Sequence, residues 1–315
     1  MSPAHDQSET QRKRQLERRQ QHRRTPFQIK FLRFVFRFIG PVIPGLMARL
    51  MHYLWFQTHR HPMPAREQKW LQTARQSRIS FEQQDIALYH WGEGKTILLA
   101  HGWDGRGSQL AGFVSVLLKQ GYSVLAFDAP GHGASTGKTT NAVQIARLIA
   151  RLDKEYGPFQ AVIAHSLGVP ASLYSAIYEG LRLGCFIGIS GPGDLPFLVE
   201  KYTTALHIPA PVIRRFQAQL VNDFGADWAH RLATTRMAGQ LGNRTGHPIR
   251  ALIVHDSDDL DVPAEHSQAI ASAIHSDGYV LTTGLGHRRI LRSPAVITLV
   301  GRFINGCSNA DNMLD

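Results

Sequence analysis

Short apolar segments alternate with helix-length segments from Arg78 almost to the end of the chain. Apolar, β-branched strands separated by helices are typical of a parallel sheet whose two faces are both covered. The pattern therefore predicts an α/β fold with a mostly parallel, eight-stranded sheet and helices on both faces. The strand candidates are Arg78–Phe81, Ile86–Trp91, Thr96–Ala100, Ser123–Asp128, Ala161–Ala164, Cys185–Ile189, Ala251–His255 and Tyr279–Thr282, and the helix-length segments include Gln109–Gln120, Asn141–Tyr156 and Pro263–His275.

The alternation stops between Gly191 and His247. This stretch contains helical pieces and prolines but no clear strand, which is typical of an insertion. We predict a small helical cap over residues 191–247, inserted into a core of residues 78–190 and 248–308. Residues 309–315 are expected to form a C-terminal tail.

Ahead of the core, residues 1–24 are polar and rich in Gln and Arg, which predicts a basic arm that is disordered or weakly helical. Residues 25–77 are predicted to form a helical segment whose first helix is amphipathic and ends at Gly40-Pro41. A second apolar piece follows at Ile43–Phe56. The amphipathic helix has an apolar face of Phe27, Phe31, Phe34, Val35 and Phe38, and a second face that carries Lys30, Arg33 and Arg37.

The longest uncharged run of this segment, Phe38–Ala48, has 11 residues and contains two glycines and two prolines. A membrane-spanning helix needs about 20 predominantly apolar residues, so we expect that the segment does not cross a membrane. Two alternatives remain open. The amphipathic helix packs on the protein's own core, or it lies in a membrane interface.

The formal net charge of +11 is concentrated near the N-terminus. Residues 1–37 hold ten Lys or Arg and three Asp or Glu, a net +7, whereas the remaining 278 residues hold 25 and 21, a net +4. An anionic membrane surface is therefore a candidate partner, through residues 12–56. No aromatic platform or reading helix accompanies the basic residues, so no specific nucleic-acid partner is expected.

Cys185 and Cys307 are too few and too far apart in sequence to predict a disulfide framework or a zinc site. Cys185 lies in an apolar run and is expected to behave as a small buried hydrophobe, which favours a reducing compartment. The N-terminus does not resemble a secretory signal, because its charged lead is too long and no Ala-x-Ala-like site follows. We therefore expect a cytoplasmic location, with peripheral attachment at the inner membrane surface as an alternative.

The segment Ala164-His165-Ser166-Leu167-Gly168 follows an apolar strand and precedes a helix-like stretch. A strand–turn–helix of this kind places a serine hydroxyl at the carboxyl edge of the sheet. Such a small-x-Ser-x-Gly string is common by chance. Taken alone, it also fits a buried strand end that contains a hydrogen-bonded serine.

Acyl transfer by a serine needs two backbone amides aimed at the developing oxyanion. The amide of Leu167, directly after the serine, is one candidate. The amide of Trp103, after Gly102 at the end of an earlier apolar strand, is the other. The alternative for this second segment is a plain strand-to-helix turn in which His101 is a structural hydrogen-bonding residue.

Further along the chain, "ALIVHDSDDLDVP" ends a strand with four acidic residues, and "VLTTGLGHRRIL" places His287 in a glycine-flanked loop. A serine nucleophile needs a base to take its proton, and His287 is the candidate. The imidazolium so formed needs a buried carboxylate to orient and stabilise it. The order Ser, Asp, His along the chain is that of hydrolases built on a parallel sheet.

The segments "HGW", "FDAPGHGAS", "AHSLG", "HDSDDLDVP" and "GLGHRRIL" occur in an order and at spacings that resemble the α/β-hydrolase fold superfamily over residues 78–305. The resemblance implies that Ser166 is the nucleophile, Asp259 the acid and His287 the base. Asp259 matches the pattern Asp-x-x-Val-Pro, Asp258 is the alternative, and Asp256 occupies a place often held by glycine. Two residues depart from the pattern: Ala164 replaces the first glycine of the elbow, and Val169 stands where a small residue often follows.

Two other kinds of site are not expected. The stretch "GHGASTGKTT" imitates a phosphate-binding loop, but His132 stands where that pattern needs its first glycine. Most of the 16 histidines are isolated and no His-Glu-x-x-His pair occurs, so no catalytic metal is predicted. We expect no cofactor.

The sequence thus predicts a serine hydrolase that cleaves a carboxylic ester of a small acyl substrate, with Ser166, Asp259 and His287 as catalytic residues and the amides of Trp103 and Leu167 as the oxyanion hole. A thioester, a lactone or a C–C bond would use the same groups. A non-catalytic, membrane-associated binding protein of the same fold is the alternative of another class. The oligomeric state stays open, and an apolar substrate pocket is expected from Leu195, Phe197, Leu198, Phe216 and Trp228.

Overall fold

The computed structural model describes residues 26–245 and 249–311. The predicted arm at residues 1–24 lies outside the described residues. Of the predicted tail, residues 309–311 belong to the last helix and residues 312–315 lie outside the described part.

Eight strands form one sheet in the order β1-β2-β4-β3-β5-β6-β7-β8. Strand β2 pairs antiparallel with β1 and with β4, and every other neighbouring pair is parallel. The prediction of a mostly parallel, eight-stranded sheet is confirmed, although β1 begins three residues before the predicted Arg78. The strands are β1 (Arg75–Phe81), β2 (Gln84–Trp91), β3 (Thr96–Ala100), β4 (Ser123–Phe127), β5 (Ala161–His165), β6 (Cys185–Ile189), β7 (Arg250–Asp256) and β8 (Gly278–Thr282).

Both faces of the sheet are covered, which explains why its central strands are apolar without alternation. Successive residues of a strand point to opposite faces. In β5, Val162 and Ala164 join one apolar cluster and Ala161 and Ile163 join the other. All residues of β3, β4, β5 and β6 are buried.

The helices are α1 (Phe27–Phe38), α2 (Pro44–Phe56), α3 (Ala65–Gln72), α4 (Val114–Leu118), α5 (Ala142–Tyr156), α6 (Gly168–Tyr174), α7 (Leu195–Ala205), α8 (Ala210–Phe224), α9 (Trp228–Arg231), α10 (Thr234–Thr245), α11 (Ala264–Ala273), α12 (Gly286–Arg289) and α13 (Pro294–Asp311). The predicted helix at Gln109–Gln120 is instead a 3₁₀ segment, Gly107–Phe113, that continues into the short α4. Among the described residues, no helix has both the length and the apolar character needed to span a bilayer.

Helices α7 to α10 lie between β6 and β7, where the sequence predicted the helical cap. Asp194 begins α7, because its side chain accepts the backbone N–H of Phe197 across 2.7 Å. Helix α8 packs along α2. Helix α2 and the cap helix α8 both contribute residues to the cavity that contains Ser166.

Most of the apolar stripe predicted for α1 does not face the protein, although its Val35 is partly buried against the core. Phe27, Phe31, Phe34 and Phe38 are between 56% and 81% exposed, whereas Phe36 is fully buried. Helix α1 packs on the core, which is one of the two alternatives, but four of the five residues of the predicted apolar face stay exposed. The physical reason is that α1 is apolar on two sides, and the side with Phe36 is the one that packs.

Cys185 and Cys307 form a disulfide, with 6.3 Å between their Cα atoms. Cys185 is buried, as expected, but the inference from sequence spacing that the two cysteines do not pair is wrong. Strand β6 and helix α13 pack in the same apolar cluster on one face of the sheet, which brings together residues 122 positions apart in sequence. This separation is within the usual Cα–Cα range for disulfides, about 4.4–6.8 Å.

Candidate active site

Strand β5 runs directly into the tight turn that carries Ser166. Ser166 has a φ of +52°, a left-handed conformation that is costly for a non-glycine residue and is concentrated at functional sites. A Cβ at Gly168 would lie 2.4 Å from the carbonyl oxygen of Ala100, so only glycine fits there without a backbone shift. The turn holds the Ser166 side chain at the carboxyl edge of the sheet, where open α/β sheets bind ligands.

Small neighbours accommodate the two departures from the usual elbow sequence. Ala164 pairs with Ala100 on one side of β5 and with Gly188 on the other. Val169 packs against Gly191, where an added Cβ would come within 2.7 Å of the valine side chain. The extra carbon atoms of Ala164 and Val169 therefore lie beside residues with little or no side chain.

Ser166, His287 and Asp259 form one chain of hydrogen bonds. The Ser166 hydroxyl donates to His287 Nε2 across 3.0 Å, and His287 Nδ1–H donates to Asp259 Oδ2 across 2.7 Å. The direction follows because an ionised carboxylate can only accept. The His287 side chain is 11% exposed and that of Asp259 is fully buried. Asp259, and not the alternative Asp258, is the acid that contacts the histidine.

The Asp259 carboxylate is held by four donors. Oδ1 accepts the backbone N–H groups of Asp261 and Val262 across 2.8 and 3.0 Å, and Oδ2 lies 3.3 Å from His255 Nε2 as well as against His287. Burial by itself raises the pKa of Asp259, but the hydrogen bonds from His255 and His287 outweigh it and hold the pKa well below its ordinary value. The carboxylate therefore stays ionised and faces His287 with a fixed negative charge.

Asp256 anchors the loop that carries His287, a role that the sequence did not predict. Its carboxylate accepts the Thr282 hydroxyl across 2.7 Å and the backbone N–H groups of Leu285 and Gly286 across 3.1 and 2.8 Å. Burial opposes ionisation of Asp256, but these hydrogen bonds lower its pKa overall. The run of four acidic residues was the available signal, yet nothing in it distinguishes an anchor from a catalytic acid.

His255 is a second imidazole on the Asp259 carboxylate and was also not predicted. It is completely buried, with Nδ1 against the Ser267 hydroxyl at 2.6 Å and Nε2 facing the Val262 carbonyl at 3.0 Å. Because a carbonyl and a carboxylate both only accept, Nε2 carries a proton that faces both of them. His255 therefore fixes one side of Asp259 while His287 occupies the other.

His165, the residue directly before Ser166, contacts both the backbone and the ring of His287. Its Nε2–H donates to the backbone carbonyl of His287 across 2.8 Å, and the two rings lie 4.8 Å apart. Burial, aided by the neighbouring His287, lowers the pKa of His165 to about 3. His165 is therefore neutral and leaves His287 as the imidazole that contacts Ser166.

The loop after β3 brings backbone amides beside Ser166. A Cβ on Gly102 would lie 2.6 Å from Ser166 Cβ, so the loop approaches this closely only because residue 102 is glycine. Within residues 26–245 and 249–311, the N–H groups of Trp103 and Leu167 have no hydrogen-bond acceptor. Trp103, next to Gly102, and Leu167, next to Ser166, both line the cavity together with Ser166.

Two buried, neutral histidines hold this loop in place. His101 donates from Nδ1–H to the Gly102 carbonyl across 2.7 Å and accepts the Ala129 N–H at Nε2 across 2.9 Å. His132 Nε2 accepts the N–H of Asp104 across 3.0 Å. Burial lowers the pKa of His101 to about 4 and that of His132 to about 3. If Nε2 of His101 or His132 gained a proton, its N–H would face the backbone N–H of Ala129 or Asp104, and that hydrogen bond would be lost.

Asp128 fills the turn that imitates a phosphate-binding loop. Its carboxylate accepts the N–H groups of Gly107 and Ala134, both across 2.8 Å, and the Tyr89 hydroxyl across 2.9 Å. Burial raises the pKa of Asp128. The backbone N–H groups of Gly107 and Ala134 are therefore directed at a side chain of the protein itself.

An apolar cavity of about 640 Å³ lies over Ser166 and His287, within the roughly 300–1,000 Å³ usual for small-molecule sites. Of the five residues expected to form an apolar pocket, Leu195, Leu198 and Trp228 line it. Phe216 is buried behind the wall and Phe197 stacks on His266, with 4.3 Å between ring centroids. The wall also contains residues of α1 and α2 that were not predicted to reach the site: Gln28, Ile29, Leu32, Leu54, Trp55 and Phe56.

Among the described residues, the group able to offer ligands to a metal is Asp259, Asp261 and His287, whose donor atoms lie within 4.8 Å of one another. Both oxygens of Asp259 already accept N–H groups, and both ring nitrogens of His287 are hydrogen-bonded. The arrangement of these groups suits proton transfer along the chain better than metal ligation.

Residues 97–298 match the alpha/beta hydrolase family, and the chain belongs to this family. Among solved structures of similar fold, an esterase from Pyrococcus furiosus is 19% identical, with a TM-score of 0.56 over 79% of this chain and 98% of that chain. A membrane phospholipase A described as a bacterial virulence factor is 16% identical, with a TM-score of 0.57 over 85% and 93%. The thioesterase domain of the curacin biosynthetic pathway is 16% identical, with a TM-score of 0.53 over 73% and 98%.

Proposed function

We propose that the protein is a serine hydrolase that cleaves carboxylic esters through a covalent acyl-enzyme. The observation that carries the proposal is the hydrogen-bonded chain from Ser166 through His287 to Asp259 at the floor of an apolar cavity. A serine within hydrogen-bond distance of an imidazole that is itself held by a buried carboxylate is the arrangement that activates a nucleophile.

In the first half of the reaction, Ser166 Oγ attacks the ester carbonyl while its proton passes to His287 Nε2. The carbonyl oxygen becomes an oxyanion, which the N–H groups of Trp103 and Leu167 stabilise. Asp259 stabilises the imidazolium without taking its proton. The bond to the leaving oxygen then breaks, the alcohol leaves with the proton from His287, and the acyl group remains on Ser166.

In the second half, a water molecule gives a proton to His287 and attacks the acyl carbonyl. The same two amides stabilise the second oxyanion. The bond between the acyl carbon and Ser166 Oγ breaks, and Oγ recovers its proton from His287. The acid is released and the free enzyme is restored.

An ester is the proposed substrate because an acyl-enzyme of this kind forms most readily from an oxygen ester, whose leaving group His287 protonates. Proteins of similar fold include an esterase, a membrane phospholipase A and a thioesterase domain. A thioester would pass through the same acyl-enzyme and is an alternative substrate.

Labelling with a fluorophosphonate probe tests the proposal. The wild type is expected to react at Ser166, and Ser166→Ala to lose both labelling and ester hydrolysis, the latter by at least about 10⁴-fold in kcat. Ser175→Ala is the matched control, because Ser175 is a buried serine outside the cavity and should leave labelling unchanged. A folded wild type that never labels would favour the non-catalytic binding protein.

A further inference from the structure

Large apolar side chains are exposed on the N-terminal helices to an extent that no other part of the described chain shows. Thirteen such side chains are exposed among the described residues, and nine of them lie between Phe27 and Tyr53. Single exposed apolar residues need no explanation, but a concentration of this kind marks an interaction surface. The nine are Phe27, Phe31, Phe34, Phe38, Ile39, Val42, Ile43, Leu46 and Tyr53.

Helix α1 has an apolar face on each of two opposite sides. With 3.6 residues per turn, Ile29, Leu32 and Phe36 fall on the side opposite the exposed phenylalanines. This inner side packs against the core and, through Ile29 and Leu32, lines the cavity above Ser166. We call the outer side, together with the turn that follows it, the docking face: Phe27, Phe31, Phe34, Phe38, Ile39, Val42 and Ile43.

The charged side chains of α1 and α2 have one sign. From Thr25 to Arg66 the sequence contains no Asp or Glu. Helices α1 and α2 carry four cations, Lys30, Arg33, Arg37 and Arg49, and all except Arg33 are well exposed. Exposed aromatic residues beside lysine and arginine, without acidic groups, suit the boundary between an anionic headgroup layer and its acyl chains.

We propose that the docking face binds an anionic membrane surface, and that the substrate is a long-chain acyl ester lipid that enters the cavity from that membrane beside α1. The second part rests on the proposed hydrolase function, whereas the first does not. The docking face buries its phenylalanines at the level of the acyl chains, and the cations contact the headgroups.

A second copy of the chain is a poorer occupant of this surface. In a two-fold dimer the same patch meets itself, so Lys30 and Arg37 of one copy would face the same cations of the other with no acidic residue to compensate. An anionic membrane removes apolar surface from water in the same way and supplies the missing negative charge.

The position of α1 links membrane binding to substrate binding, because its outer side belongs to the docking face and its inner side lines the cavity. A helix with its side chains is only about 10–12 Å across, so a docked α1 places the cavity one helix away from the acyl chains. Gln28 both lines the cavity and is exposed, which shows that the cavity reaches the surface at the N-terminal end of α1. Arg33 fixes α1 to the cap, since its Nε–H donates to the Ala205 carbonyl across 2.7 Å.

The test uses the full chain, vesicles of phosphatidylcholine with or without phosphatidylglycerol, and two esters with one leaving group. The esters are 4-methylumbelliferyl butyrate in solution and 4-methylumbelliferyl oleate within the vesicles. The wild type is expected to sediment with the mixed vesicles at least about tenfold more tightly than with phosphatidylcholine alone, because each cation near an anionic surface adds to binding. It should hydrolyse both esters.

The variant F31S/F34S/F38S should lose vesicle binding and oleate hydrolysis by at least about tenfold, while butyrate hydrolysis stays within about twofold of wild type. Leu281→Ser is the matched control: Leu281 is 52% exposed, close to the 57% of Phe31, but lies on β8 away from the docking face, and it should change neither activity. Ser166→Ala should bind vesicles like the wild type and hydrolyse neither ester.

These measurements distinguish the membrane proposal from the hydrolase proposal. Loss of butyrate hydrolysis in Ser166→Ala with no vesicle binding by the wild type would overturn the membrane inference and leave the hydrolase proposal standing. A second outcome would assign the docking face to a second copy of the chain. In it, the wild type does not bind vesicles but forms dimers, and the F31S/F34S/F38S variant is monomeric. Equal loss of butyrate and oleate hydrolysis in a folded triple variant would also contradict the inference, because it would mean that the phenylalanines support the site itself.

Discussion

The behaviour of the Asp259 side chain is decided by its contacts. Four acidic residues lie within six positions, but Asp256 is bound to the loop of His287 and Asp259 to His287 itself. A buried carboxylate is costly unless it is well hydrogen-bonded. Two backbone amides and the imidazole of His255 meet part of that requirement, and the imidazole of His287 completes it.

We predict that His255 is a positioning residue for this carboxylate. His255→Asn removes the donor at the Nε2 position and should lower kcat by about tenfold to a hundredfold, since a hydrogen bond to a charged group contributes about 1.5–3 kcal/mol. KM should change little, because His255 does not line the cavity. Steady-state kinetics on a soluble ester give both constants.

His255→Gln is the conservative variant, because its side-chain amide reaches the Nε2 position and restores a donor. It should recover most of the kcat lost in His255→Asn. Equal activity of the wild type and His255→Asn would contradict the assigned role, as would a loss confined to KM.

At the level of elements, the candidate site is made by turns at the carboxyl ends of four strands, β3, β5, β7 and β8. The turn after β3 supplies Trp103, the turn after β5 supplies Ser166, and those after β7 and β8 supply Asp259 and His287. In a parallel sheet these ends meet at one edge. The distance between the first two turns is set by Gly102, which lies against Ser166.

We predict that Gly102→Ala lowers kcat by about 10²-fold, similar to the loss of one oxyanion donor. The added methyl would lie 2.6 Å from Ser166 Cβ and 3.1 Å from the His165 carbonyl oxygen, so the turn carrying the Trp103 amide must move. The measurement is kcat on a soluble ester, with thermal unfolding to show that the variant is folded.

Gly184→Ala is the control for the general effect of replacing a loop glycine. An added Cβ there meets no atom within 4 Å, and the residue has an ordinary φ. It should retain wild-type kcat. If Gly102→Ala retained it as well, Trp103 could not be an oxyanion donor that depends on this close approach.

For the molecule as a whole, three buried neutral histidines tie stability to pH. His101, His132 and His165 have pKa values lowered to about 4, 3 and 3, chiefly by burial. An unfolded histidine has a pKa of about 6.5. Below that pH the unfolded chain binds more protons than the folded one, so the free energy of unfolding falls as the pH drops from 6.5 towards 4.

We predict a loss of about 2 kcal/mol of unfolding free energy per histidine between pH 7.5 and pH 5. Urea unfolding at the two pH values measures it. His132→Gln, which cannot be protonated in this range, should be less stable at pH 7.5 but should lose about 2 kcal/mol less than the wild type on going to pH 5. An unchanged pH dependence in this variant would show that His132 is not one of the responsible groups.

The sheet and the approximate position of most elements could be predicted from the sequence, because strands that are buried on both faces have a recognisable apolar composition. Strands buried on both sides are continuous apolar runs, and the eight runs correspond to eight strands. Strand ends were less well predicted: β1 begins at Arg75 because pairing with β2 extends it through three exposed residues that have no apolar signal.

The N-terminal segment illustrates the limit of periodicity. A helical spacing of apolar residues shows that a face exists but not what covers it. Five apolar residues define one face of α1, yet four of them are exposed, and the side that packs inward is that of Ile29, Leu32 and Phe36. The choice depends on the shape of the surface that α1 meets, which is formed by residues distant in sequence.

Sequence alone specified an α/β sheet, a serine in a strand–turn–helix elbow, and the acidic and histidine residues that follow at later strand ends, because these properties are local and periodic. Tertiary structure decided which aspartate meets His287, that His255 and Asp256 support it, that Cys185 reaches Cys307, and which side of α1 stays exposed. These outcomes depend on pairs of residues that are separated along the chain, and their distances are set only when the elements pack together.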